Sequence, residues 1–225
     1  MRALRVCCAK LVLAAAALSV CWSGCGTTSS AEAELVRAMR TGRTAEARRQ
    51  ALLKLQDRAR PWMRQELESV LEYELDAATR ALAAQALGAT DDPDAVAALR
   101  RSVRTDASPV VRERALAALA RLLGPEIGED LEQVMYAEPA PEVVVRALEL
   151  ARQHLADGYA TRLIGVLVGA LEHVSPAVRL RAHTLLKEVT GLSAAPTSSS
   201  WRGALEAERA GRAEETPSQA TEGSP

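Results

Sequence analysis

The residue types that could act as nucleophiles or metal ligands are few in this chain and unevenly placed. The cysteines are Cys7, Cys8, Cys21 and Cys25, and none follows in the next 200 residues. Past residue 25 there is therefore no thiol for a disulfide, a cysteine-ligated metal or a nucleophile. The histidines are His154, His173 and His183. His173 and His183 fall on successive predicted helices and could approach each other, but two imidazoles need acidic companions to hold a metal. The run DDPD, Asp91 to Asp94, lacks the later ligands and the spaced glycine of a calcium loop. It reads as a helix start, with acids at the positive end of the helix dipole. The chain has no glycine-rich phosphate loop, nucleophile elbow or His-Glu zinc helix. These residues predict no catalytic centre, no metal and no cofactor.

The chemistry that does repeat is that of arginine. Arg48, Arg80 and Arg112 are spaced by 32 residues, and Arg179 continues the set in register with a longer last step. A guanidinium can bind a carboxylate through two parallel hydrogen bonds. A second class lies two residues later: Arg114, Arg146 and Arg181, with Gln50 and Leu82 in the earlier copies. Stacked in a repeat array, these three would form a basic column, offset by Glu113, Glu142 and Glu149.

The elements that must hold these residues follow from the same period. Pro61, Pro93 and Pro125 are 32 apart, as are Pro109 and Pro141, with Pro176 a further 35 on. Proline at a helix start loses no hydrogen bond. Asp92 and Ser108, each before a proline, are expected N-caps. Three residues after each periodic arginine stands Ala51, Ala83, Ala115 or Ala182, and seven after it Leu55, Leu87, Leu119 or Leu186. The fourth copy keeps Ala147, with Val144 in the arginine position and Ala151 in the leucine position. Apolar residues at this spacing define one buried helical face. Gly88, Gly124 and Gly191 close three of the segments, where a positive φ suits glycine. Each period is thus two helices. The first helices are expected at 31–40, 61–75, 93–105, 126–137 and 159–173. The second are expected at 44–57, 77–88, 109–123, 141–155 and 176–190. Aromatics are only 3% and phenylalanine is absent, which suits close-packed Ala/Leu helices and not a β-sandwich. GVLVG, residues 165–169, lies in an apolar stretch of nine residues, 163–171, and reads as a core helix, not a membrane span.

The segments TDASPVVRERALAALARLLG and EHVSPAVRLRAHTLLKEVTG resemble HEAT repeats, closest to the phycobilisome-lyase-like variety. The resemblance covers 31–191. It implies an all-α fold, a right-handed α-solenoid of about five helix pairs. In that family the periodic arginine usually bonds an acid near the preceding turn, which implies a structural ladder with Asp76, Asp106 and Glu172 as the available partners, and the second helices usually line the concave face. The remainder divides into a linker, 192–200, a short terminal helix, 201–210, and a polar tail, 211–225, expected to be disordered. Trp201 and Leu205 are placed to cap the open end of the last pair.

The first residues carry Arg2, Arg5 and Lys10, then the apolar run LVLAAAALSVCW, then small residues. This is the pattern of a secretory signal, and its apolar run is too short to span a bilayer. It resembles a bacterial lipoprotein signal, which implies cleavage after residue 24, lipidation of Cys25 and a short tether over 25–30. Gly24 fits the small position before the cysteine, and Trp22 departs from the aliphatic one. Cys21, with Leu18 but also Val20, is the alternative cysteine. An ordinary cleaved signal or an uncleaved anchor would leave neither lipidated.

A net charge of −1 gives no global pull toward nucleic acid. The expected function is a non-catalytic scaffold, exported and lipid-anchored in a cell envelope, with an outer membrane as one location. It would bind a protein or peptide on its concave face. If Arg114, Arg146 and Arg181 recognise it, that partner is acidic. The alternatives are a bilin lyase or isomerase, which the family resemblance raises and the export signal opposes, and a purely structural envelope protein.

Overall fold

The computed structural model describes residues 30–154 and 160–214. The expected signal, Cys25 and most of the tether lie outside the described residues, as do 155–159 and the end of the tail. The described residues form eleven α-helices and no strand. These are α1 (Ser30–Thr41), α2 (Ala45–Leu55), α3 (Arg64–Tyr73), α4 (Ala77–Gly88), α5 (Val96–Thr105) and α6 (Pro109–Leu123). They continue with α7 (Gly128–Ala137), α8 (Pro141–His154), α9 (Ala160–Gly169), α10 (Pro176–Thr190) and α11 (Ser198–Glu214). Short 3-10 turns, Pro61–Met63, Pro93–Ala95 and Gly124–Ile127, lead into α3, α5 and α7.

Helices α1 to α10 pack as five consecutive antiparallel-type pairs in two layers. The first helices α1, α3, α5, α7 and α9 stack in order, and the second helices α2, α4, α6, α8 and α10 stack beside them. Between the layers runs one apolar core, continuous from Val36 to Trp201. The periodic residues supply it. Ala83, Ala115, Ala147 and Ala182, with Leu55, Leu87, Leu119 and Leu186, are all fully buried, and Ala51 nearly so. The GVLVG helix is part of this core through Val166, Leu167 and Val168. No described helix is long and apolar enough to cross a membrane.

The two layers are not equally tight. Second helices α4 and α6 approach until a Cβ added to Gly88 would lie 2.6 Å from Ala118 Cβ. First helices α3 and α5 touch sparsely by comparison. Close small-residue packing on one layer leaves clefts between repeats on the other.

Three local expectations are corrected. Gly88 is the last residue of α4 and does not adopt a positive φ, which falls instead on Asp91 at 54°. Gly88 is needed for the close approach to Ala118. Gly124 and Gly191 do take positive φ, at 54° and 69°. Ser108 makes no side-chain cap. Its N–H donates to Asp106 Oδ1 at 2.9 Å, and the helix begins on backbone bonds to Ser108 O and on Pro109. Asp92 does cap, accepting from Asp94 N at 3.0 Å. Helix α11 is longer at both ends than 201–210, so residues 211–214 are helical and not part of a disordered tail. Trp201 is fully buried, donates from Nε1 to His183 Nδ1 at 3.2 Å, and meets that ring edge-on at 5.8 Å.

Candidate functional site

The turns between the helices of each pair hold an arginine ladder. Arg80 donates to Asp106 through two bonds of 2.8 and 2.9 Å. Arg112 does the same to Glu138, at 2.8 and 2.7 Å. Arg48 holds Glu74, with one bond of 2.9 Å. Each acid lies 26 residues after its arginine, in the turn of the following pair and not the preceding one. The preceding turn supplies carbonyls instead. Arg80 reaches Glu74 O and Leu75 O, Arg112 reaches Asp106 O and Ala107 O, and Arg179 reaches His173 O and Val174 O. One guanidinium therefore ties the turn it follows to the turn of the next repeat. The acid also accepts from the amide two residues on, as Glu74 does from Asp76 N, Asp106 from Ser108 N and Glu138 from Ala140 N.

The ladder acids are thus Glu74, Asp106 and Glu138, and only Asp106 is among those expected. Asp76 caps α4 through Thr79 N and Thr79 Oγ1, at 2.9 and 2.6 Å, and stands 3.5 Å from Arg49. Glu172 accepts from the Ser198 hydroxyl and lies 3.7 Å from Arg202, so it tethers α11. In the turn beside it His173 takes the ladder-acid place, accepting from Ser175 N at 3.0 Å. Where the fourth arginine would stand is Val144, which is fully buried, so with His173 in the acid place this step of the ladder carries no ion pair. Arg179 has Leu205 at the matching distance and keeps only its carbonyl bonds. A same-register acid 26 residues downstream was the signal in the sequence that identifies Glu74 and Glu138.

Ladder pairing sets the charge states. The Arg48 guanidinium holds the Glu74 carboxyl below its ordinary value. Burial pushes the Asp106 carboxyl up, but the Arg80 guanidinium and the Ser108 amide outweigh it and the net shift is downward. These charges are consumed internally and offer little to a ligand.

The expected basic column is uneven. Arg114 on α6 is exposed and makes no hydrogen bond or ion pair with a described residue. Arg146 on α8 is half-buried, with an Nε that has no hydrogen-bond partner. Arg181 on α10 is engaged by Glu149 at 2.5 Å, and Glu149 also lies 3.5 Å from Arg152. The open positive charge is therefore a pair on adjacent second helices and not a row of three.

The histidines do not converge. His173 serves its turn and His183 serves Trp201. No group of three or more potential metal ligands occurs among the described residues.

Clefts lie on the first-helix layer. One of about 620 Å3 separates α3 from α5, and another of about 280 Å3 separates α5 from α7. A third, about 220 Å3, lies where Tyr136, Gly169 and Leu205 bring α7, α9 and α11 together. Nothing in the sequence pattern marks these spaces. They follow from the splay of first helices whose partners pack through alanine and glycine.

A model of HEAT repeats matches residues 29–120. That span reaches from the start of α1 into α6, and the later pairs continue its period and its two-layer packing. The chain is an all-α solenoid that is similar to HEAT repeats over residues 29–120. No curated protein matches it.

Proposed function

We propose that this protein is a non-catalytic scaffold, held at a cell envelope by a lipid on Cys25, that binds a protein or peptide partner along its second-helix face. The observation that carries the binding reading is the contrast among its arginines. Arg48, Arg80 and Arg112 of the ladder are closed by Glu74, Asp106 and Glu138, whereas Arg114 and Arg146, on adjacent second helices, keep hydrogen-bonding capacity unused. Neighbouring packed helices place such residues roughly 10 Å apart, a spacing an extended acidic segment can bridge. Repeat arrays present long surfaces of this kind and gather partners on them. The anchor rests on the charged start, short apolar run and small-residue zone before Cys25.

Two measurements test the two halves separately. Intact-mass analysis of the membrane-extracted protein should show loss of residues 1–24 and an acylated N-terminus at Cys25. A mature chain beginning elsewhere removes the anchor from the proposal. For binding, a pull-down from envelope extract should compare wild type with Arg114→Glu/Arg146→Glu, folded by circular dichroism. Arg181 is left intact because it already serves Glu149. Loss of one or more acidic partners, and weaker capture as salt rises, is the expected result. An unchanged partner list moves recognition away from the second-helix face.

A further inference from the structure

The cleft between α3 and α5 has the size of a ligand pocket, about 620 Å3. It lies on the opposite layer from Arg114 and Arg146. Its walls include the apolar side chains of Leu71, Ala97 and Ala98. Five of the eight charged residues that line it are acids. Most of these charges are already spoken for. Arg80 and Asp106 are a closed ladder pair, Glu74 belongs to Arg48, and Arg64 is shared between Glu68 and Asp92, at 3.0 Å each. Two acids remain loosely held at the mouth. Glu72 faces Arg101 across the cleft at 3.4 Å, with side chains 48% and 63% exposed. Asp94 lies 3.6 Å from Arg64 and is 74% exposed. Exposed pairs of this kind are weak and readily exchanged for another cation.

A second observation concerns Ser102. It lines the same cleft, it is only 7% exposed, and its Oγ has no hydrogen-bond partner. Buried hydroxyls in native folds nearly always have one. A group that enters the cleft and satisfies Ser102 must be small at its tip. An ammonium does this with donors alone, matching both the hydroxyl oxygen and the surplus of acids.

We infer that the α3–α5 cleft is a pocket for a basic side chain, a lysine presented by a peptide partner. The aliphatic stem lies along Leu71, Ala97 and Ala98, as lysine stems do on apolar surface. The ammonium takes Arg101's place beside Glu72 and reaches toward Ser102. This inference rests on the reading of the chain as a peptide-binding scaffold but uses a different face and a ligand of opposite charge.

The test is fluorescence anisotropy of a labelled tetralysine peptide with the full chain in detergent, and with tetraglutamate as the opposite-charge probe. Tetralysine should bind and tetraglutamate should not compete. Ala97→Leu adds bulk at an exposed position on the cleft wall without changing charge, and should weaken tetralysine about tenfold. Ser102→Ala should weaken it about threefold without lowering the melting temperature, because alanine suits a helix and leaves no orphan hydroxyl. Glu72→Gln/Asp94→Asn should weaken it about fivefold or more. Arg114→Glu should change nothing, so failure of the second-helix reading leaves this result untouched. No tetralysine binding at millimolar peptide overturns the inference. So does binding that falls with the charge variants but ignores both Ala97→Leu and Ser102→Ala, since that marks a diffuse acidic surface and not a pocket.

Discussion

Gly88 and Ala118 are packed so closely that a Cβ on Gly88 would lie 2.6 Å from Ala118 Cβ and 2.8 Å from Ala118 Cα. The second distance involves backbone, which cannot swing aside. Gly88→Ala should therefore destabilise the fold, although alanine is the better helix former by about 1 kcal/mol. Forcing apart a close-packed pair costs about 1–3 kcal/mol in general, and because backbone is in the way the cost here belongs to the upper part of that range, for a net loss of about 1–2 kcal/mol. Urea unfolding followed by circular dichroism measures it. Adding Ala118→Gly removes the Cβ conflict but not the Cα one, so it should restore only part of the loss. A stabilised Gly88→Ala variant would show that α4 and α6 do not meet at this residue.

Gly88 also shows where sequence reading reaches its limit. Its place at the end of an amphipathic segment suggests a C-cap, and Gly124 and Gly191 follow that rule. Gly88 breaks it because the constraint comes from another helix, thirty residues away. The helix pairs were legible because their signals are local: proline at starts, and alanine and leucine at fixed steps from a periodic arginine. Leu87 and Leu119 are buried for the reason their spacing gives. The ladder was half legible. Its arginines stand out by period, but Glu74 and Glu138 stand in the next repeat, and the short-range habit of pairing an arginine with the nearest acid selected Asp76 and Glu172 instead. Arg181 is closed by Glu149, 32 residues before it, whereas the residue 32 before Arg114 is Leu82, which offers no charge. The cleft beside Ser102 was not legible at all, because it is a space left by packing elsewhere.

Acid should weaken the fold through the ladder. Glu74 and Asp106 both titrate below their ordinary values, which are 4.5 and 3.8. As pH falls through those ordinary values, the unfolded chain takes up protons that the folded chain still refuses. Stability then declines, and the ladder's contribution is fully lost once pH passes below the folded values. Urea midpoints should therefore hold steady down to about pH 5 and fall between about pH 4.5 and pH 3. Arg80→Gln should start from a lower plateau and decline less steeply, because Asp106 no longer has the guanidinium that keeps it ionised. An identical acid slope in this variant would contradict the role given to Arg80.

The step at Val144, which has no arginine, suggests how the ladder should respond to mutation. Arg112 and Glu138 are largely buried and bonded to each other twice. Arg112→Val alone strands the Glu138 carboxylate and frees the carbonyls of Asp106 and Ala107, and should cost about 2–4 kcal/mol. Glu138→Ala alone strands the guanidinium and should cost a similar amount. The double variant removes both charges together and strands neither, so it should cost clearly less than the sum of the two. A double-mutant cycle from denaturant unfolding reads this directly. Additive losses would mean that the two side chains contribute independently.

The end of the solenoid depends on Trp201. It is fully buried, lies on α11, and is joined to α10 by its bond to His183. Helix α11 otherwise rests on α9 and on the Ser198–Glu172 hydrogen bond. Without this helix, apolar surface of the last pair faces water, as it does at any uncapped repeat end. Trp201→Ala should remove about 3–5 kcal/mol of local stability. The loss should be confined to the last pair, because in a repeat array each unit leans mainly on its neighbours. Hydrogen exchange should show amides of α9 and α10 losing protection while those of α2, α4 and α6 keep theirs. Trp201→Phe retains much of the ring volume but lacks the N–H, so it should fall between wild type and alanine. Uniform loss of protection along the whole chain would mean instead that the solenoid unfolds as one unit, with the cap supporting every pair.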